Sequence, residues 1–150
     1  NHSKKFKINL ENSKVLDLFS GVGSFGIECL SRGVKEVIFV ENYSLVLPIL
    51  KKNLSDLKSI NNYQIIEKDI YKDSDLFLLN KKFDIIFLDP PYNDKNLDKL
   101  FLKIQNSKIM KKKGIIILHR RRNEVDNLPA SFKIIEEKKY GISKIIFLTI

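Results

Sequence analysis

Short apolar runs alternate with longer amphipathic stretches along most of the chain, and this alternation limits the possible fold more than any other feature. The runs predicted as strands are 15–18, 37–40, 63–67, 83–88 and 114–118, and the stretches with helical spacing are 24–32, 44–57 and 94–104. Strands that alternate with helices form a parallel sheet that is covered by helices on both faces. The sequence therefore predicts an α/β fold.

The C-terminal part departs from this alternation. Residues 132–138 and 144–149 are both strand-like, with Gly141 in the turn between them and no helical stretch, which predicts an antiparallel hairpin. The expected architecture is a Rossmann-like, mostly parallel, seven-stranded sheet that ends in this hairpin. We expect one domain over 1–150, with 1–13 as a poorly defined N-terminal segment and 72–80 as a short helix or turn.

Local signals refine the ends of the predicted helices. Ser24 and Asp94 are residue types that cap helix N-termini, so each is a candidate N-cap. Pro48 is tolerated only if it lies in the first turn of its helix, since proline has no N–H to donate.

A glycine-rich turn joins the first predicted strand to the first predicted helix. Gly21, Gly23 and Gly26 have the spacing G-x-G-x-x-G, and Glu41 ends the next strand twenty residues after Gly21. Glycines allow a tight turn and close approach of the backbone to a ligand, and a carboxylate at the second strand end can accept both ribose hydroxyls. The pattern favours a nucleoside-containing cofactor over a plain tight turn.

The spacing alone also permits a dinucleotide, but the acidic surroundings favour S-adenosylmethionine, with S-adenosylhomocysteine as its product. Asp17 precedes the glycines, where a carboxylate can hold the ammonium of an amino acid and would repel a pyrophosphate. Ser20 and its acidic neighbours suit a cationic sulfonium. Asp69 follows the third strand and could accept a hydrogen bond from an adenine amine, or cap a helix before Tyr71.

The fourth strand runs directly into Asp89-Pro90-Pro91-Tyr92, the most informative tetrapeptide of the chain. Asp89 and the carbonyl of Pro90 are two acceptors that can orient the hydrogens of an exocyclic base amine, whose lone pair then points at the methyl donor. Two prolines restrict the backbone around that carbonyl, and Tyr92 offers a ring for a base to stack on. The alternative is a strand that simply ends at its prolines.

These residues together resemble a known family. The segment from Val15 to Gly26, with Glu28 and Ser31-Arg32-Gly33, then Val40-Glu41-Asn42 and Asp89-Pro90-Pro91-Tyr92, is similar to the RsmD family of bacterial 16S rRNA (guanine-N2)-methyltransferases. The similarity runs from about residue 14 to the C-terminus.

The resemblance implies a class I S-adenosylmethionine-dependent enzyme that methylates the exocyclic N2 amine of a guanine in small-subunit rRNA. Asp89, Pro90 and Tyr92 would then hold the guanine. The positions implied to contact the cofactor are Asp17, Phe19, Ser20, Gly21, Gly23, Glu41, Asn42, Asp69, Ile70 and Asp89.

The chain departs from the family pattern in two places. The family usually has a basic N-terminal arm and a helix before the first strand, whereas here almost nothing precedes Lys14. The fifth strand ends in His119, where relatives more often carry an acid, and Arg120, Arg121 and Arg122 follow. This arginine run could contact phosphates or be a solvated loop.

Composition bears on partners and compartment. The formal net charge of +9 suits a polyanionic partner such as ribosomal RNA or an assembling small subunit, although a chain rich in Lys, Ile and Asn also reflects AT-rich coding DNA. We expect a cytoplasmic protein with no membrane contact. Cys29 is the lone cysteine, residues 1–12 have no signal-peptide pattern, and no apolar run approaches the ~20 residues of a membrane span. We expect a monomer and, with His2 and His119 far apart, no metal site.

Four other functions remain open from the residues. A DNA or RNA adenine or cytosine amino methyltransferase usually carries a target-recognition insertion, and a protein-amide methyltransferase normally has Asn before Pro-Pro-Tyr. A nicotinamide-dependent oxidoreductase would explain the glycines and Glu41 but not residues 89–92. The fourth alternative is a catalytically silent module that binds a cofactor and recognises RNA.

Overall fold

The computed structural model describes residues 10–72, 80–91 and 96–150. A short 3-10 helix, Leu10–Asn12, precedes the first strand. The elements that follow are β1 (Lys14–Leu18), α1 (Ser24–Ser31), β2 (Glu36–Val40), α2 (Leu47–Ser55), β3 (Tyr63–Ile66), β4 (Phe83–Leu88), α3 (Leu97–Ser107), β5 (Met110–Arg121), β6 (Lys133–Tyr140) and β7 (Ser143–Thr149).

The seven strands form one sheet with the order β3-β2-β1-β4-β5-β7-β6. The pairs among β1 to β5 are parallel, and β7 is antiparallel to both β5 and β6. The predicted sheet with its C-terminal hairpin is confirmed. Strand order reverses between β1 and β4, and ligands of open α/β sheets bind outside the carboxyl ends of strands at such a switch point.

Helices cover both faces of the sheet, as predicted. Alternate residues of a strand point to opposite faces, so Val15 and Val37 pack with α1 and α2, which contribute Leu30, Leu50 and Leu54. The intervening Leu16 and Ile38 pack in a second cluster with α3, which contributes Leu100, Phe101 and Ile104. The central strands are therefore buried on both sides, and their polar residues can reach a ligand only at the strand ends.

Several predicted boundaries are wrong. Gly23 rather than Ser24 is the N-cap of α1, and it has φ 91° and no capping side chain. The second helix is shorter than expected because residues 44–46 form a turn with Val46 as the N-cap and because the helix ends at Ser55, although Pro48 does lie in the first turn. The third helix begins after Asn96, and the predicted cap Asp94 lies outside the described residues, as does most of the predicted element at 72–80.

The largest error concerns β5, which extends beyond the predicted 114–118 at both ends. Its C-terminal end continues to Arg121 because it pairs with β7, with Arg121 opposite Ser143. Its N-terminal end is rich in lysine, which hides the strand in the hydrophobic pattern, and the register with β4 shifts between Phe83 and Ile85.

Candidate active site

Strand register brings the predicted site residues to one edge of the sheet. Leu18 lies beside Val40 on one side and Leu88 on the other, so the segments that follow β1, β2 and β4 start next to one another. Leu88 is also paired with Leu118, which places Asp89 beside His119. Residues that are far apart in sequence therefore meet because they follow parallel strands.

The glycine turn wraps closely around the end of β1. Gly21 and Gly23 have φ values of 57° and 91°, a region that glycine adopts easily. A Cβ on Gly23 would lie 2.6 Å from the Leu50 side chain, and one on Gly26 would lie 2.3 Å from the Phe39 ring. Gly26 thus allows α1 to approach the sheet, and Gly23 allows the turn to approach α2. Gly21, which lines a cavity, is the glycine placed to face a ligand.

Asp17 is the most unusual group of the site, because it is a carboxyl with only 1% of its surface exposed. Its Oδ2 accepts a hydrogen bond of 3.2 Å from the Gly26 N–H. Its Oδ1 is buried without a hydrogen-bond partner among the described residues, and so is Ser20 Oγ nearby in sequence. Buried polar atoms normally have partners, so this pair of orphaned atoms points to a polar ligand.

The electrostatics of Asp17 support the same view. Its pKa is raised from 3.8 to about 8, chiefly because burial disfavours the charged form; the Gly26 hydrogen bond opposes this rise, and the charges of Asp89 and Glu41 add to it. Three carboxyls are therefore grouped around one site. The charges of Glu41 and Asp89 would attract a cationic ligand and repel the pyrophosphate of a dinucleotide, and a bound cation would favour the ionised form of Asp17.

Glu41 is held firmly at the end of β2. Its Oε1 accepts a hydrogen bond of 2.8 Å from Gly21 N–H, and its Oε2 accepts bonds of 3.0 Å from the N–H groups of Asn42 and Tyr43. Oε1, which accepts one hydrogen bond, can accept a second one from a ligand. Glu41 is thus a fixed acceptor that joins the glycine turn to the strand end.

The residues after β3 are only partly placed as predicted. Asp69 Oδ1 accepts a hydrogen bond of 2.8 Å from the Tyr71 N–H, which is the local capping role considered as the alternative for this residue. Asp69 still lines a cavity at the sheet edge. The Ile70 side chain is 4% exposed and packs in the core, so a ligand could meet only its backbone.

Asp89 and Pro90 follow β4 at the centre of the sheet edge. The Asp89 side chain is about half exposed, and its Oδ1 lies 3.0 Å from Nδ1 of His119. Pro90 is buried. Tyr92, the third predicted substrate-binding residue, lies outside the described residues.

Two cavities meet at this sheet edge. The edge cavity, of about 850 Å³, is lined by Glu41, Asn42, Asp69, Asp89 and Pro90, among others. The face cavity, of about 680 Å³, is lined by Asp17, Ser20, Gly21 and the outer face of the sheet at Phe87 and Ile117. Phe19, Asp89 and His119 line both, so the predicted cofactor residues and the Asp-Pro segment open onto connected space.

The arginine run does not behave as one unit. The Arg120 side chain is fully buried and forms ion pairs with Glu124 and Asp126, and its Nη1 donates a hydrogen bond of 3.2 Å to the carbonyl of Pro91. The prediction that Arg120 contacts phosphate is therefore corrected, because no ligand can reach a guanidinium that is buried among acids. Arg121 and Arg122 are exposed and remain candidates.

Sequence reasoning missed three supporting contacts. Arg120 anchors the segment after β4 through Pro91, and Phe25 of α1 stacks on Phe87 of β4 with ring centroids 4.0 Å apart. The contact between His119 and Asp89 was also missed. Once β4 and β5 are recognised as parallel neighbours, the equal distance of Asp89 and His119 from the paired Leu88 and Leu118 would reveal it.

Comparisons with known proteins agree with this geometry. Residues 3–149 match the model of the family described as "Conserved hypothetical protein 95". The chain belongs to this family. Its curated relatives include the ribosomal RNA small subunit methyltransferases D, so the resemblance to the RsmD family is confirmed.

Two of these relatives show how similar in sequence the chain is to them. The enzyme of Buchnera aphidicola (subsp. Acyrthosiphon pisum) is 31% identical over 133 residues, or 86% of this chain and 66% of its own length. That of Haemophilus influenzae is 30% identical over 138 residues, or 89% of this chain and 69% of its own length. The chain thus spans about two thirds of the length of these relatives.

The fold also has close counterparts among solved structures. A candidate methylase of Haemophilus influenzae matches with a TM-score of 0.79 and 26% identity, over 98% of this chain and 91% of that one. The predicted class I methyltransferase fold is confirmed. In the described part of the chain, no helix has the length and apolar character needed to span a bilayer, and no three or more His, Cys, Asp or Glu side chains gather as a metal site.

Proposed function

We propose that this protein transfers a methyl group from S-adenosylmethionine to the exocyclic N2 amine of a guanine in small-subunit ribosomal RNA. The observation that carries the proposal is the shared cavity: the orphaned carboxyl of Asp17 and the Asp89 carboxyl line the same space. Membership of a family with rRNA methyltransferases among its members supports the substrate class.

The residues fit the cofactor part by part. Asp17 Oδ1 would accept a hydrogen bond from the ammonium, and Ser20 Oγ is available to the carboxylate of the amino-acid portion. Glu41 would accept hydrogen bonds from the ribose hydroxyls, and Asp69 and Asn42 line the same edge cavity where the base would lie. When bound, the cofactor supplies a methyl group that is activated by its attachment to a sulfonium.

Asp89 and the Pro90 carbonyl orient the nucleophile. Conjugation with the ring makes a guanine amine a poor nucleophile, and two acceptors aimed at its hydrogens favour the pyramidal form with an available lone pair. Asp89 Oδ1 faces His119, so Oδ2 is the oxygen left for the amine. Because positive charge moves onto the amine during transfer, a fixed carboxylate beside it also lowers the barrier electrostatically.

The RNA itself would lie across the rim of the edge cavity. Ile142, in the turn between β6 and β7, lines this cavity, and Tyr140 at the end of β6 lines the adjoining face cavity; 76% and 51% of their surfaces are exposed. Arg121 and Arg122 are next to it, since the Arg122 N–H donates to the Ile142 carbonyl. Bases flanking the target could stack on Tyr140 while the arginines meet phosphates, and the paired target guanine would be extruded into the cavity.

The proposal further includes a cytoplasmic monomer that acts on free rRNA or on an assembling small subunit. Transfer of radiolabelled methyl to small-subunit rRNA, both naked and loaded with ribosomal proteins, tests the activity and the form of the substrate. Mass spectrometry of the digested RNA then identifies N2-methylguanine or another base. Methylation of adenine or cytosine instead would contradict the guanine assignment.

Asp89→Ala tests the catalytic assignment. We expect kcat to fall by about 100-fold or more, because the acceptor and the charge beside the amine are both lost, while S-adenosylhomocysteine affinity changes little. Calorimetry with S-adenosylhomocysteine and with NAD⁺ measures binding, and Asp98→Ala, an exposed acid on α3, is the matched control. Equal loss of affinity and turnover in Asp89→Ala would mean that the carboxyl is structural, and tight NAD⁺ binding would favour the oxidoreductase alternative.

A further inference from the structure

We propose that His119 is a positioning residue that fixes the Asp89 carboxylate for catalysis, through a hydrogen bond from its Nδ1–H to Asp89 Oδ1. This inference rests on the proposed function and adds a residue to its machinery. Its basis is the 3.0 Å contact between these two atoms at the junction of the two cavities.

The pairing of strands in the sheet explains why Asp89 and His119 lie in contact. Leu88 and Leu118 are direct neighbours in the parallel pair of β4 and β5. Asp89, directly after β4, and His119 of β5 come next, and side chains at the same level of adjacent extended segments point to the same face. The backbone on both sides is fixed, because β5 is paired with β7 through His119 and Ile145, and Arg120 holds the Pro91 carbonyl.

Asp89 needs such a partner because, among the described residues, His119 is the only hydrogen-bond partner of its side chain. About half of its surface is exposed, and an exposed carboxylate can turn about both of its side-chain torsions. A donor on Oδ1 removes this freedom and leaves Oδ2 directed at the substrate. Orientation of an acceptor before the reaction lowers the barrier without making the cofactor bind more tightly.

The contact also defines which ring nitrogen of the His119 imidazole carries the proton. A carboxylate can only accept, so Nδ1 must carry the proton. In the neutral ring Nε2 is then an acceptor directed away from Asp89. His119 therefore acts as an Nδ1–H donor, and its role can be separated from that of a proton acceptor by the choice of substitution.

Two amide substitutions separate the roles. The amide nitrogen of asparagine can take the place of Nδ1, whereas that of glutamine lies nearer to Nε2. We expect His119→Ala and His119→Gln to lower kcat by about tenfold or more, the value of one hydrogen bond to a charged group. We expect His119→Asn to stay within about threefold of the unchanged protein, and S-adenosylhomocysteine affinity to be the same in all three variants.

A second measurement does not depend on activity. The chain has two histidines, His2 and His119, so long-range ¹H–¹⁵N spectra of the imidazoles are simple to assign. We expect the Nδ1–H tautomer for His119 in the full chain and its loss in Asp89→Ala. An identical His119 spectrum in both proteins would overturn the proposed hydrogen bond.

The activity outcomes are equally decisive. Unchanged kcat in His119→Ala overturns the proposal, and so does a folded His119→Asn that is as slow as His119→Ala. A parallel loss of S-adenosylhomocysteine affinity would indicate a structural role and also overturns it. If the unchanged protein itself methylates no RNA, the proposed function fails instead, and the tautomer measurement still tests the contact.

Discussion

Asp17 links protonation to ligand binding at the residue scale. Its pKa of about 8 means that the buried carboxyl is mostly protonated at neutral pH, mainly because burial disfavours its charged form. An ammonium bound to Oδ1 would favour the carboxylate, so ligand binding would expel a proton. The buried carboxyl can in this way serve as a receptor for the ammonium of an amino acid.

We expect S-adenosylhomocysteine affinity to rise with pH up to about 8, where Asp17 becomes ionised in the free protein, and to level off above it. The limit of the effect is about tenfold per pH unit. Calorimetry in buffers of different ionisation enthalpy measures the released proton. Asp17→Asn should bind weakly, with no such rise, and a rise that persists in this variant would assign the linkage to another group.

The same raised pKa should lower the stability of the ligand-free fold as pH rises. Below pH 3.8 both states hold the proton, and between 3.8 and about 8 only the folded state does, so unfolding becomes progressively easier. From pH 6 to pH 8 the Asp17 contribution is about 2 kcal/mol. Urea unfolding at both pH values should show this loss in the unchanged protein and its absence in Asp17→Asn; equal losses would contradict the assignment.

At the scale of elements, the strands that could be predicted are those that are buried and therefore consist mainly of apolar residues. The run at 83–88 is apolar because β4 is covered on both faces, and the Asp-Pro segment follows it directly. The lysine-rich start of β5 gives no such signal, since its side chains are exposed or half-buried while its backbone still pairs with β4.

Arg120 shows why a run of charged residues in the sequence does not by itself indicate a surface that binds phosphate. An arginine run looks the same in sequence whether its members meet solvent or buried acids, and here the partners Glu124 and Asp126 follow within six residues. Their role depends on how the segment after β5 folds back, which periodicity does not encode. The site was predictable where it follows strand ends and unpredictable where loops return to support it.

Arg120→Met should destabilise the fold by about 3–5 kcal/mol, since it leaves the largely buried Asp126 without its partner. Urea unfolding measures the loss. Arg122→Met, which changes an exposed arginine two residues away, is the matched control and should stay within about 0.5 kcal/mol. If both variants unfold alike, the buried ion pairs contribute nothing net and Pro91 must be anchored by other contacts.

At the scale of the whole molecule, the position of positive charge matters more than the net charge of +9. Arg121 and Arg122 lie at the carboxyl edge of the sheet beside the cavities, whereas Lys112 and Lys113 lie at the opposite end of the same strand. Both pairs are exposed. β5, together with the residue that follows it, therefore carries two basic pairs that differ chiefly in their distance from the site.

This arrangement provides an internal control for RNA binding. Charge reversal of Arg121 and Arg122 to Glu should weaken binding of a small-subunit rRNA fragment and lower the slope of log affinity against log salt by about 1, because fewer counterions are released. Reversal of Lys112 and Lys113 makes the same change in net charge and should alter the slope much less. Fluorescence anisotropy over a range of salt concentrations compares the two, and equal slopes would show that RNA responds to overall charge and that the cavity rim is not its docking surface.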